Sequence, residues 1–283
     1  MQKFIISGFS DEICDDIAGQ FKALNKLGIE YFEPRGINGK NISTLNDEEV
    51  RELKNEMIKY NIKASSVGSP IGKIKLTDDF DEHFEVFKRV VKTAKMIDTK
   101  YIRMFSFYHD GGDEWTEDER EAVIERLSKM IDYAKKEGVI LLHENEKDIY
   151  GDIASRCVDL MENLYCDNFK AVFDMANFVQ CKQDTKEAYN ALSKYVEYVH
   201  IKDAEWESKK VVISGKGDGN VEYILKDLKE KGYKGFLSLE PHLGNFLGLA
   251  ELENDEIMKD LPEGDEGTFT LAYNSLKTIL ERI

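Results

Sequence analysis

At 283 residues, 42% of them apolar, the chain is long enough to bury a sizeable core, and its length suits the roughly 250 residues that one α/β barrel needs. A formal charge of −16 and a pI near 4.9 exclude a general affinity for phosphate backbones or anionic lipid surfaces, so neither nucleic acid nor membrane is an expected partner. No apolar run approaches the ~20 residues of a membrane span, and with 4 prolines and no low-complexity run residues 1–283 read as a single domain.

The N-terminus, Met1 to Ile6, goes straight into a strand, which is too short and regular for a signal peptide. Cysteines 14, 157, 166 and 181 show no Cys-x-x-Cys spacing. Reduced thiols in a cytoplasmic setting are expected rather than disulfides or zinc. Strand candidates then start near Phe4, Ile29, Ile62, Tyr101, Val139, Lys170, Val196 and Phe236. Amphipathic segments lie between them. Ile17, Phe21, Leu24 and Leu27 fall at helical spacing and end on Gly28, where a helix C-terminus favours positive φ. Phe84, Phe87, Val90, Val91 and Ala94 precede the fourth strand in the same way, and Ile124, Leu127, Ile131 and Ala134 precede the fifth. Eight alternations with short turns into the strands predict a TIM (β/α)8 barrel, parallel and eight-stranded. A doubly wound open sheet is the alternative, but no Gly-x-Gly-x-x-Gly follows the first strand. Three strand-to-helix connections look long, Ser66 to Phe80, Asp203 to Asn220 and Pro241 to Pro262. All are expected on the face where barrels hold substrate.

Four apolar strands each run into one metal-capable side chain. Val139–Leu142 leads through His143 to Glu144, Lys170–Phe173 to Asp174, Val196–Val199 to His200, and Phe236–Leu239 to Glu240. Parallel barrel strands all end on one face, so these four side chains should converge over one mouth. Two Glu, one Asp and one His suit a divalent cation held by hard oxygens and an imidazole. Each carboxylate alone could equally cap a helix or bind an arginine. His143 should face the opposite way from Glu144, because strand side chains alternate, and should be packed rather than ligating.

These residues carry a resemblance. From Gly8-Phe9-Ser10-Asp11-Glu12-Ile13 to about His242, through Glu144-Asn145, Asp174-Met175-Ala176-Asn177, His200-Ile201-Lys202-Asp203, Gly215-Lys216-Gly217 and Leu239-Glu240-Pro241-His242, the chain resembles the xylose-isomerase-like sugar isomerase/epimerase superfamily. The resemblance implies that Glu144, Asp174, His200 and Glu240 bind one divalent ion, Mn²⁺ first, with Mg²⁺, Co²⁺ or Zn²⁺ as alternatives. It implies an isomerase or epimerase of a small ketose or ketose phosphate. Glu144 and Glu240 would then be the catalytic pair, moving a proton beside the carbonyl through a metal-bound cis-enediolate. Coordination weakens a carboxylate as a base, so a free second oxygen on each glutamate is expected. An inosose dehydratase-like lyase shares that first step and is the rival reading. A non-catalytic sugar-binding barrel is a further one, although simple binding needs no opposed bases. The sequence departs from the family at Asn177, where a histidine is frequent, and at Tyr150, where the ketose 3-epimerases carry another glutamate. Too few histidines are present for a trinuclear nuclease site.

Further substrate-binding candidates follow from strand ends. Glu33 and Arg35 close the second strand. Arg103 lies within the fourth, either under the substrate or paired with Glu33. Lys202 shares the facing of His200 and would orient substrate oxygens or a carboxylate standing behind the ligands. Asn177, His242 and Trp206 complete the set, with Phe9 as a weaker wall residue. Ser69–Lys73 is read as either a lid or a solvated loop. Gly215–Asn220 matches no phosphate-loop pattern, so Asp218 or Asn220 is expected to cap the next helix. A homo-oligomer is compatible with the sequence.

Overall fold

The computed structural model describes residues 4–111, 114–243 and 261–283. Its strands are β1 (Ile5–Gly8), β2 (Tyr31–Phe32), β3 (Lys63–Ala64, resumed at Val67–Gly68), β4 (Tyr101–Met104), β5 (Ile140–Glu144), β6 (Phe169–Asp174), β7 (Val196–Ile201) and β8 (Phe236–Leu239). A continuous parallel sheet runs β1-β8-β7-β6-β5-β4 and on to the resumed part of β3. The first part of β3 pairs with β2. The Glu33 amide then donates to the Gly8 carbonyl at 2.8 Å, joining β2 to β1. Eight strands therefore follow one another around the barrel in chain order, as their count predicts.

The helices fall where apolar spacing places them. They are α1 (Ile17–Leu27), α2 (Asp47–Tyr60), α3 (Phe80–Met96), α4 (Glu117–Glu137), α5 (Ala154–Leu164), α6 (Met175–Gln180), α7 (Thr185–Leu192), α8 (Val221–Glu230) and α9 (Asp265–Arg282). Phe21 and Leu24 of α1, Phe87, Val90 and Val91 of α3, and Leu127 and Ile131 of α4 are buried against the sheet. Their ends are chemically marked. Gly28 sits at φ 73° after α1, and capping boxes Asn46/Glu49 and Thr116/Glu119 open α2 and α4. Each such cap contributes about 1 kcal/mol. Among the described residues no helix is long and apolar enough to cross a membrane.

The period of two in each strand stacks the barrel interior in layers. Tyr101, Leu142, Val172 and Tyr198 form an apolar plug. Two residues further along their strands stand Arg103, Glu144, Asp174 and His200, all buried. His143, one residue out of phase, packs on the other side of β5. It meets the Ser106 hydroxyl at 2.9 Å and lies against Gly151.

The Ser69–Lys73 segment is a fixed wall rather than a lid. The amides of Phe105, Phe107 and Tyr108 donate to the carbonyls of Ile71, Gly72 and Ile74, and the Ser69 hydroxyl donates to the Arg103 carbonyl at 2.5 Å. Gly72 has φ +87°, and a Cβ there would collide with the Phe105 carbonyl, so only glycine fits. From α3, His83 Nε2 accepts the Gly72 amide at 2.8 Å. Burial, with Arg126 adding, lowers the His83 pKa from 6.5 to about 4. The folded state therefore resists protonation that the unfolded chain accepts. Stability from this group is complete above pH 6.5 and is lost as pH falls toward 4. Relative to a His83→Asn variant, the wild type should lose about 2 kcal/mol between pH 7 and pH 5. Urea unfolding of both proteins at the two pH values measures this. A constant difference would show that the His83–Gly72 bond is not titrated in this range.

Candidate metal centre

Glu144, Asp174, His200 and Glu240 come from the ends of β5, β6, β7 and β8, and each offers a ligand atom within 4.8 Å of the others. His200 is oriented by a carboxylate on either side. Its Nδ1 lies 2.8 Å from Glu144 Oε1 and 3.6 Å from Glu240 Oε2. Its Nε2 lies 3.3 Å from Glu33 Oε2, a charge contact without a hydrogen bond. Glu33 Oε2 in turn accepts from the Tyr198 and Ser238 hydroxyls at 2.9 and 2.7 Å. A carboxylate behind a histidine is a common support for metal ligation, since it fixes which nitrogen faces the ion. Nδ1 is the nitrogen that the two ligand-capable glutamates approach.

The second oxygens of the two glutamates are not free, contrary to the sequence expectation. Arg103 reaches Glu144 Oε2 at 3.4 Å, and Arg35 reaches Glu240 Oε1 at 3.2 Å. Arg103 thus pairs with Glu144 and not with Glu33. Lys202 Nζ stands 3.0 Å from both Asp174 Oδ2 and Glu240 Oε2. It hydrogen-bonds to Glu240, whereas Asp174 Oδ2 has a charge contact with it but no hydrogen bond.

Burial dominates the electrostatics. It pushes the Asp174 carboxyl up to about 7, with Glu240 and Glu144 reinforcing it against Lys202. For Glu144 burial also works upward, but His200 and Arg103 outweigh it and hold the group low, at about 2. Glu240 is held low in the same way, chiefly by Lys202. Burial opposes the His200 imidazolium, yet Glu144 and Glu33 raise its pKa well above the ordinary value. Three buried carboxylates are costly unless paired, and here Lys202, Arg103, Arg35 and His200 meet them. An O₃N donor set and an Asp174 oxygen without a hydrogen bond fit a divalent ion.

Glu12, Glu240 and His242 form a second group of three donors. The Arg35 guanidinium already fills it, 3.1 Å from Glu12 and 3.2 Å from Glu240, so it is not a second metal position. His242 Nε2 lies 3.2 Å from Glu12 and 3.6 Å from Glu240.

The model of the xylose isomerase-like TIM barrel family matches residues 21–262. The chain belongs to this family. No curated protein matches it. Among solved structures, the IOLI protein with a zinc atom superposes with a TM-score of 0.76 at 16% identity, covering 100% of this chain and 99% of that one. A D-allulose 3-epimerase from Methylomonas sp. gives 0.71 at 14% identity, covering 100% and 99%. The probable 3-DHS dehydratase AsbF from Bacillus anthracis gives 0.68 at 16% identity, covering 84% and 92%. An epimerase and a probable dehydratase thus share the barrel, and the family fold with its acidic cluster supports an enzyme.

Other residues singled out in the sequence are distributed unevenly around this family barrel. Asn177 donates to the Asn145 carbonyl at 2.9 Å and to Glu144 Oε1 at 3.4 Å, so it braces a ligand carboxylate. Phe9 lies edge-on to His200, ring centres 5.1 Å apart. Trp206 stands apart, packed on Ala176, Val179 and Ala204 under the Lys182 ammonium. Neither Asp218 nor Asn220 caps α8. Asn220 occupies the N-cap position at φ 55° without a capping bond, while Asp218 accepts the Trp206 amide at 2.6 Å. The Gly215–Gly219 loop instead wraps the Asp203 carboxylate, which accepts the amides of Gly215, Gly217 and Gly219 at 2.8, 3.0 and 2.8 Å. The Pro241–Pro262 connection lies mostly outside the described residues. Sequence reasoning passed over Asp11 and Glu12, although two adjacent carboxylates just after β1 must lie on the face where Arg35 leaves β2.

Proposed function

We propose that this chain is a divalent-metal-dependent isomerase or epimerase of a small ketose, with Glu144 and Glu240 exchanging the proton beside the carbonyl. One observation supports this most directly. The two glutamates approach one imidazole nitrogen from β5 and β8, and each has its other oxygen on a different arginine. Opposed carboxylates with separate supports suit removal of a proton on one side of a substrate and its return on the other. Glu144, Asp174, His200 and Glu240 would hold the ion, with Mn²⁺ preferred and Mg²⁺, Co²⁺ or Zn²⁺ as alternatives. When bound, it would polarise the substrate carbonyl as a Lewis acid.

The protein's own groups do the rest. His200 and Arg103 keep Glu144 ionised, Lys202 does so chiefly for Glu240, and the two arginines each hold one outer carboxylate oxygen. Glu33 holds His200, and Asn177 holds Glu144, so neither reorganises during proton transfer. Lys202 anchors Asp174 and Glu240 from the mouth side of the ligand layer. A positioned base provides about 10²–10⁴-fold, and enzymes reach at least about 10⁶-fold. The balance must come from orientation and from stabilising the oxyanion of the enediolate.

The test is incubation of the Mn²⁺-loaded protein in D₂O with a panel of ketoses and inososes, with the α-protons followed by NMR. Deuterium should enter one α-carbon of one substrate class. A new conjugated chromophore in the same samples would assign a dehydratase instead, because loss of a β-hydroxyl follows the same first step. Metal bound and no exchange anywhere would overturn the proton-transfer reading.

A further inference from the structure

We propose that the substrate is an uncharged polyhydroxy carbonyl compound, and that the site rejects phosphorylated and carboxylated sugars. This rests on the proton-transfer reading above and names its substrate class. An enzyme that takes an anionic sugar needs positive charge left over for it, since removing a phosphate from water is costly unless it is paired. The described cations that touch the candidate ligands have none to spare. Arg35 is 2.8 Å from Asp11, 3.1 Å from Glu12 and 3.2 Å from Glu240. Arg103 is committed to Glu144 at 3.4 Å, and Lys202 to Asp174 and Glu240 at 3.0 Å.

Lys73 is the next cation outward, on the Ser69–Lys73 wall. Its ammonium stands 4.2 Å from the centre of the Phe105 ring, and the Arg103 guanidinium stands 4.6 Å from that same centre. The wall is fixed, as shown by the hydrogen bonds of Ile71, Gly72 and Ile74 to the β4 side. From this wall the Lys73 ammonium meets Glu146 at 3.2 Å. Four cations face six carboxylates in these pairs. One divalent ion would bring the two signs level. A phosphate dianion would have to break pairs that already exist.

The usual alternative for phosphate, a ring of backbone amides after the seventh strand, is closed by the chain itself. The amides of Gly215, Gly217 and Gly219 all point at Asp203, so the protein carries its own anion in that cradle. Lys216 in the same loop has an interaction of its own. The sequence between β8 and α9 adds little, because residues 244–260 hold five carboxylates and one lysine.

The experiment uses matched pairs in the D₂O exchange assay with Mn²⁺-loaded protein. Each pair is a free ketose and its terminal phosphate, with a keto acid of the same length as a third member. The uncharged member should exchange at least about tenfold faster in kcat/KM. Faster exchange of the phosphate or the acid would overturn this inference and leave the proton-transfer reading standing. No exchange from any member would sink that reading, and this inference with it. Glu146→Gln, which releases Lys73 without touching the ligand cluster, supplies the second arm. Its exchange of the free ketose should be near normal, and its preference for that member over the phosphate should shrink at least about threefold. An unchanged preference would overturn charge pairing as the cause of the selectivity.

Discussion

Glu144→Gln and Glu240→Gln should each lower isomerisation or epimerisation by at least about 10³-fold, within the range that loss of a positioned base produces. The two losses should not be equivalent. If one glutamate removes the proton from each face, each variant retains exchange of the α-proton on the face served by the other. Deuterium would then wash into one epimer with Glu144→Gln and into the other with Glu240→Gln, with little product in either case. Metal content measured on both variants separates base loss from ligand loss. Stability should divide them as well. Glu144 is the carboxylate that Arg103 contacts among the described residues, and Arg103 is only 5% exposed. Neutralising Glu144 strands a buried guanidinium, which typically costs about 3–5 kcal/mol. Arg35 keeps Asp11 and Glu12 when Glu240 is neutralised, so Glu240→Gln should cost clearly less. Near-full turnover in either variant would overturn the two-glutamate mechanism, and equal thermal stability would show that Arg103 finds another partner.

The legible part of this site was the part that follows from strand geometry. An apolar run closed by Glu144, Asp174, His200 or Glu240 marks a strand end, and parallel closure gathers such ends on one face. Alternation also separated Glu144 from His143, which the structure packs against Ser106. What could not be read was which charge meets which. Arg103 chose Glu144 over Glu33, and Arg35 joined Asp11 and Glu12 after β1 to Glu240 after β8. Those pairings depend on barrel closure between residues more than 200 apart in the chain for Arg35 and Glu240. The loops were harder still. Ser69–Lys73 became a wall because its carbonyls matched amides at 105–108, a register no local pattern encodes. Gly215–Asn220 suggests a helix cap, and its real role is hidden because the anion it wraps, Asp203, lies twelve residues before Gly215.

Asp203 is therefore expected to be one of the most costly positions in the chain to alter. Its buried carboxylate accepts four backbone amides, from Ala204 at 2.9 Å and from Gly215, Gly217 and Gly219 at 2.8, 3.0 and 2.8 Å. Burial pushes its pKa up while those amides pull it down. Removing it leaves several donors without an acceptor, and each stranded group costs about 1–3 kcal/mol. Asp203→Ala should lose about 3–5 kcal/mol once water reaches part of the loop, equivalent to a fall in Tm of roughly 10 °C. Asp203→Asn should not rescue it fully, since its amide nitrogen turns a donor toward donors. Gly217→Ala should fail for the complementary reason, because a Cβ there would sit 2.5 Å from Asp203 Oδ1 and 2.6 Å from the Ala204 carbonyl. The emptied cradle supplies its own control. Inorganic phosphate or sulfate should raise the Tm of Asp203→Ala and leave the wild type unmoved, because only the variant presents free amides to an anion. If Asp203→Ala melts within about 1 kcal/mol of the wild type, or if anions stabilise both proteins alike, the carboxylate is not what holds this loop beside β7.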